Sequence, residues 1–234
     1  MRRYSPESRV GQAIGDFLPS AVGVAISPLP IVAVVLMLVT PRGRVNGPSF
    51  VVGWCVGLAI VGAIVLAVAG GANASTDTGP ATWVDVLFLV LGLLLILVAV
   101  RQWRGRSHGD EQPPTPKWMG ALDQFTPVKA GGAGVVFSAL NPKNLLLTVA
   151  GAAAIAQTGI SKSGQAASYV IFVAIASVGV AAPVAVYFAM GDRSRDLLDE
   201  LKLWLVRNNA VIMAVLMLII GVKLIGNAIS GFST

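Results

Sequence analysis

Two short stretches place polar chemistry inside otherwise apolar runs: Ser27-Pro28-Leu29-Pro30 and Asn141-Pro142-Lys143-Asn144. Proline lacks an N–H and its ring clashes with the preceding turn, so it interrupts a helix but fits the first position of a new one. Ser27 and Asn141 directly precede their prolines, and both residue types are favoured N-caps. Each stretch therefore predicts a half-helix that starts within an apolar segment. A helix N-terminus offers unpaired N–H groups and about half a positive charge, which suits phosphate, sulfate or carboxylate. Lys143 adds a full charge. An ionisable side chain near the bilayer centre costs at least about 2.5 kcal/mol on insertion scales and faces a cavity or a partner. The expected substrate-binding set is Ser27, Pro28, Pro30, Asn141, Pro142, Lys143 and Asn144, lining a polar cavity. The competing reading, that the prolines only kink packed helices, stays open for the first stretch and fits the second less well because of Lys143.

These residues need membrane helices to position them. Of 234 residues, 55% are hydrophobic and 12% charged, and the mean hydropathy is +0.77, which excludes a water-soluble fold. A spanning helix needs about 20 mostly apolar residues. Apolar runs near 17–39, 49–70, 82–101, 131–157, 166–190 and 210–229 predict an all-α membrane protein of six transmembrane helices. The connections are 40–48, 71–81, 102–130, 158–165 and 191–209. Only 102–130 is long, and with Pro113, Pro114, Pro116 and mixed charge it suits a flexible linker.

The linker divides the chain into a first three-helix repeat, 1–101, and a second, 131–234. Each begins with a helix broken by a polar residue and proline. Because three spans is an odd number, the second repeat must insert upside down relative to the first, as in many secondary transporters. Gly92 and Gly221, each inside an apolar run of the third or sixth span, add a weaker echo.

Lysine and arginine set the orientation. Eleven lie in the connections after spans one, three and five, including Arg42, Arg44, Arg101, Arg104, Lys129 and Arg193, against Lys162 and three N-terminal arginines on the other side. The positive-inside rule places the linker in the cytoplasm and both termini outside an inner (plasma) membrane. Arg2, Arg3 and Arg9 argue the other way. A re-entrant hairpin over 17–39, with five true spans, would respect them. The apolar stretch after these arginines is too long for a signal peptide and is read as a span.

Several function classes drop out. The net charge of +6 sits in short loops beside apolar spans, where it fixes topology, so nucleic acid is not an expected partner. Cys55 is the sole cysteine and His108 the sole histidine; the first reads as a core residue and the second as a solvated linker residue. With no histidine and only Asp85 as an acid in the predicted spans, no catalytic set, metal site or cofactor is expected. Asp85 and Lys223 are candidates for coupling or a secondary substrate contact. The plainer readings are an interfacial aspartate near a helix N-terminus and a snorkelling lysine. Glycines 53, 57, 62, 131, 132 and 134 let helices approach closely, while Trp103, Trp118 and Trp204 suit interfacial anchors.

Together, Ser27-Pro28-Leu29-Pro30, Thr40-Pro41-Arg42, Gly53-Trp54 and Leu140-Asn141-Pro142-Lys143-Asn144 resemble the GAP (peptidoglycolipid addressing protein) family, grouped with the lysine-exporter superfamily. The resemblance covers nearly the whole chain. It implies six spans as inverted repeats and export, with GAP-like proteins associated with envelope glycolipids in actinobacteria. Amino-acid exporters of the superfamily typically carry Asn-Pro-Gly-Pro at the first break, where this chain has Ser27-Pro28-Leu29-Pro30. The leading expectation is therefore a transporter of an anionic envelope lipid or glycolipid, with its headgroup held by the two half-helix N-termini and Lys143. The alternative is an exporter of a small solute such as an amino acid or another organic anion; an assembly scaffold would leave Lys143 without a purpose. Expected partners are membrane lipids, the anionic substrate and a second copy of the chain as a homodimer.

Overall fold

The computed structural model describes residues 6–73, 82–105 and 124–232, and all regular structure among them is helical. The order is α1 (Pro6–Ala25), α2 (Pro28–Leu38), α3 (Gly43–Asn73), α4 (Thr82–Arg104), α5 (Pro127–Val135), a π-helical turn (Val136–Leu140), α6 (Pro142–Gln157), α7 (Lys162–Met190), a 3-10 turn (Gly191–Arg193) and α8 (Ser194–Phe232). His108, Pro113, Pro114, Pro116 and Trp118 of the predicted linker, and most of the 71–81 connection, lie outside the described residues.

Four helices, α3, α4, α7 and α8, are each long and apolar enough to cross a membrane. Two bent pairs bring the number to as many as six if each is one span: α1 with α2, bent by 48°, and α5 and its π turn with α6, bent by 65°. Both bends fall at the predicted proline breaks. The architecture fits a multi-pass membrane protein. Large apolar side chains on the long helices point outward, among them Val52, Leu97, Val170 and Ile219, as a lipid-facing surface requires.

Several expected boundaries move. Helix α1 begins at Pro6 rather than near 17, and α3 at Gly43 rather than near 49. The apolar pattern predicts a connection over 191–209, yet α8 runs unbroken from Ser194 over 39 residues, about 58 Å and well beyond a hydrocarbon core of about 30 Å. The reason is amphipathic packing: Leu198 and Leu205 are buried, with Leu201 and Val206 packed beside the core, so a charged outer face does not end the helix. Helix α4 continues to Arg104 and α5 starts at Pro127, where Thr126 caps it by accepting from the Lys129 N–H at 3.4 Å.

Close backbone approaches organise the packing. Helices α4 and α8 run antiparallel, with Asp85 beside Gly231 and Gly92 facing Gly221. A Cβ on either Gly92 or Gly221 would stand 2.9 Å from the other's carbonyl oxygen, so the seam tolerates only glycine without a shift. Helices α3 and α5 run parallel: the Asn46 side-chain amide donates to the Phe125 carbonyl at 3.0 Å, and Gly53 packs directly on the Gly131 carbonyl. Helices α1 and α7 are parallel too, with Phe17 edge-on to Phe172 and Gly179 against the Ala25 carbonyl.

Candidate functional site

Both breaks begin new helices in the expected way. Ser27 and Asn141 have extended backbones at the N-cap positions of α2 and α6, and Pro28 and Pro142 follow at the first helical position. The Ile31 N–H donates to the Ser27 carbonyl at 3.3 Å, and the Leu145 N–H to the Asn141 carbonyl at 2.8 Å. The Asn141 side chain caps α6 by accepting from the Lys143 N–H at 3.1 Å.

Ser27 departs from its expected role. Its hydroxyl does not cap α2; it donates to Asn144 Oδ1 at 2.7 Å and accepts from Lys143 Nζ at 2.8 Å. The reason is local: Pro30 removes the third-residue N–H that a cap would bind, while the Lys143 amine and the Asn144 side chain offer buried partners instead. The two breaks, 116 and 117 residues apart in sequence, thus meet through these three side chains. Pro28 and Pro30 are buried beside them, whereas Pro142 is exposed.

The helix ends that precede the breaks have carbonyls to satisfy, and α6 supplies the donors. Lys143 Nζ donates to the Ile26 carbonyl at the end of α1, 3.2 Å away. Asn144 Nδ2 donates to the Phe137 carbonyl in the π turn at 2.9 Å. The groups expected to line a polar cavity are therefore in direct contact here: Ser27, Lys143 and Asn144 are 1%, 6% and 0% exposed. Lys143 lies against the negative end of one helix and within the positive first turn of another. Helix α2 contributes less positive character than expected, because Pro28 and Pro30 leave Leu29 as the only N–H among its first three residues.

We expect Ser27→Ala to lower thermal stability by about 1–3 kcal/mol, because it strips Lys143 of a hydroxyl acceptor and Asn144 of a donor in a buried network. A melting scan on detergent-purified protein measures this. A variant as stable as wild type would mean that the three side chains do not form one network.

Asp85 and Lys223 join neither the junction nor each other. Asp85 is buried, with Gln157 Nε2 donating to its Oδ1 at 3.4 Å and the Gly231 backbone packed on it. Lys223 donates to the Gly15 and Asp16 carbonyls at 3.1 and 2.8 Å. It sits eight residues before Gly231 on α8, about 12 Å along the axis. Sequence reading missed the Ile26 and Phe137 carbonyls, Gln157, and Thr148. The Thr148 hydroxyl is fully buried with no partner among the described residues, one turn after Asn144; an i,i+4 polar pair on an apolar helix is the signal that could have found it.

The second break also reaches the surface. Leu140 is 68% exposed, and Asn141 is half-buried between it and the exposed Pro142. The buried Lys143 thus directly follows an exposed residue.

A family model described as Sap, sulfolipid-1-addressing protein, matches residues 17–230. That description is consistent with the GAP-type family that the motifs resemble. No curated protein and no solved structure matches the chain.

Proposed function

The chain belongs to the sulfolipid-1-addressing protein family, and from that premise we propose that it moves an anionic envelope lipid or glycolipid across the plasma membrane, with the headgroup passing the junction of the two breaks. The observation that carries this reading is the buried Lys143 amine, bonded to the Ile26 carbonyl and the Ser27 hydroxyl where α1, α2 and α6 meet. A sulfate or phosphate oxygen is a stronger acceptor than either. The headgroup would replace them, pairing a charge that is costly to leave alone in hydrocarbon. Asn144 and the first turn of α6 would add donors to the same anion.

Alternating access would follow from rocking one three-helix repeat against the other. Reciprocal contacts support the inverted-repeat reading: α3 lies parallel to α5 as α7 does to α1, and α4 crosses α8 at facing glycines. Under this reading the broken pairs are full spans, giving six, with the linker cytoplasmic and the termini outside. The family description speaks of addressing, not of a reaction.

The exposed Leu140 and Pro142 favour a lipid over a small soluble anion, since the headgroup could slide in while the acyl chains stay in the bilayer. The test is native mass spectrometry of the detergent-purified protein, paired with transport in proteoliposomes. Retention and transbilayer movement of an anionic lipid are expected. Failure of both, with uptake of amino acids into counter-loaded vesicles, would overturn the lipid reading in favour of a solute exporter.

A further inference from the structure

A furrow of about 550 Å³ runs along the outside of the α3 and α5 seam. Its walls are apolar, with Val52, Val56 and Val135 among them, and Val52 is 63% exposed. Its floor is backbone, because Gly53 and Gly131 bring the two helices together. Arg44 is the charged residue in its lining. It lies one residue inside the start of α3, beside the start of α5, so the positive ends of both helix dipoles lie at that end, although Thr126 already caps α5; Arg42 and Lys129 are exposed at the same two helix starts. An apolar trough that begins at a cation and two helix N-termini matches one kind of molecule: an anionic lipid, with its headgroup at Arg44 and an acyl chain in the trough.

The far end matters as much. The furrow ends at Val135, and the next turns of the same chain carry the exposed Val136 and Leu140 up to the break at Asn141-Pro142. We infer that this furrow is a berth for an anionic membrane lipid, from which the lipid reaches the junction at Lys143. The second half of this inference rests on the transport reading; the berth itself does not. Arg44 recognises the charge at interface depth, and the valines hold the chain alongside α5.

The test uses the full chain reconstituted in vesicles containing a trace of phosphatidylglycerol or phosphatidylcholine with a photoreactive acyl chain, followed by peptide mapping of the adducts. Adducts from the anionic probe are expected at Val52, Val56 and Val135, falling about fivefold in Arg44→Gln, the worth of one cation near an anionic surface. Gly132→Leu should block them as well. Gly132 lies in the furrow lining, and a Cβ there meets nothing within 4 Å, so this variant plugs the trough without disturbing the fold. Equal labelling by the zwitterionic probe, or labelling unchanged in both variants, overturns the berth. Lys143→Ala separates the two ideas: adducts that persist while transport is also unchanged sink the transport reading and leave the berth standing. Loss of transport in Lys143→Ala without any furrow adducts does the reverse.

Discussion

Replacing Lys143 by alanine should reduce transport of the anionic lipid by about thirtyfold or more, the factor that corresponds to about 2 kcal/mol for truncating one partner of a buried charge pair. The loss is expected in transport more than in folding. Truncation leaves the Ile26 carbonyl without its 3.2 Å donor and Ser27 without the ammonium, which costs about 1–3 kcal/mol. It also removes a desolvated charge, and that gain offsets part of the cost. Lys143→Met, which keeps the apolar stem, should lose less stability than the alanine variant and transport as poorly. Lys143→Arg keeps the charge, but its planar fork fits poorly where a compact ammonium meets one hydroxyl and one carbonyl; partial transport is expected. The measurement is the rate of lipid movement in proteoliposomes at matched protein content. Unchanged rates in both the alanine and methionine variants would remove Lys143 from the mechanism.

The second large effect is structural. Gly53→Leu should abolish the folded protein or lower its yield severely, because its Cβ would overlap the Gly131 carbonyl oxygen. Overpacking typically costs about 1–3 kcal/mol when side chains can move aside, and here the obstacle is backbone. Separation of α3 from α5 would also disturb Gly57 over Ser138 and Gly134 over the Phe50 carbonyl along the same seam. Gly132→Leu, on the partner helix α5, is the control, since it points into open space. Monodisperse yield and melting temperature should separate the two variants clearly. A Gly53→Leu protein as stable as wild type would mean that the helices do not approach as closely as described.

Much of this was legible from local pattern. Asn141-Pro142 reads as an N-cap and first helical residue, and the structure uses it so. Helix α8 was only partly legible: a search for apolar runs ends at the charged stretch before Ala210, and the helix continues because one face of that stretch is packed. The Gly92 and Gly221 echo carried little weight as sequence, since apolar similarity arises easily by chance; only the antiparallel seam makes each glycine the reason for the other. Asp85 and Lys223 illustrate the opposite case. Both are charged residues in long helices that read as candidates for coupling, but each bonds separate partners away from the junction.

By itself the sequence determined the membrane setting, the helical class, the places where two helices break and the residue types at those breaks, because hydropathy, proline sterics and N-cap preference act within a few residues of chain. Only the tertiary structure decided that Ser27 turns from its own helix to Lys143 and Asn144, that Lys143 closes the end of α1, and that the second break lies beside the surface. Those are contacts between segments more than a hundred residues apart. Such contacts depend on how helices pack, and a polar group buried by that packing bonds whichever partner the neighbouring segment brings within reach.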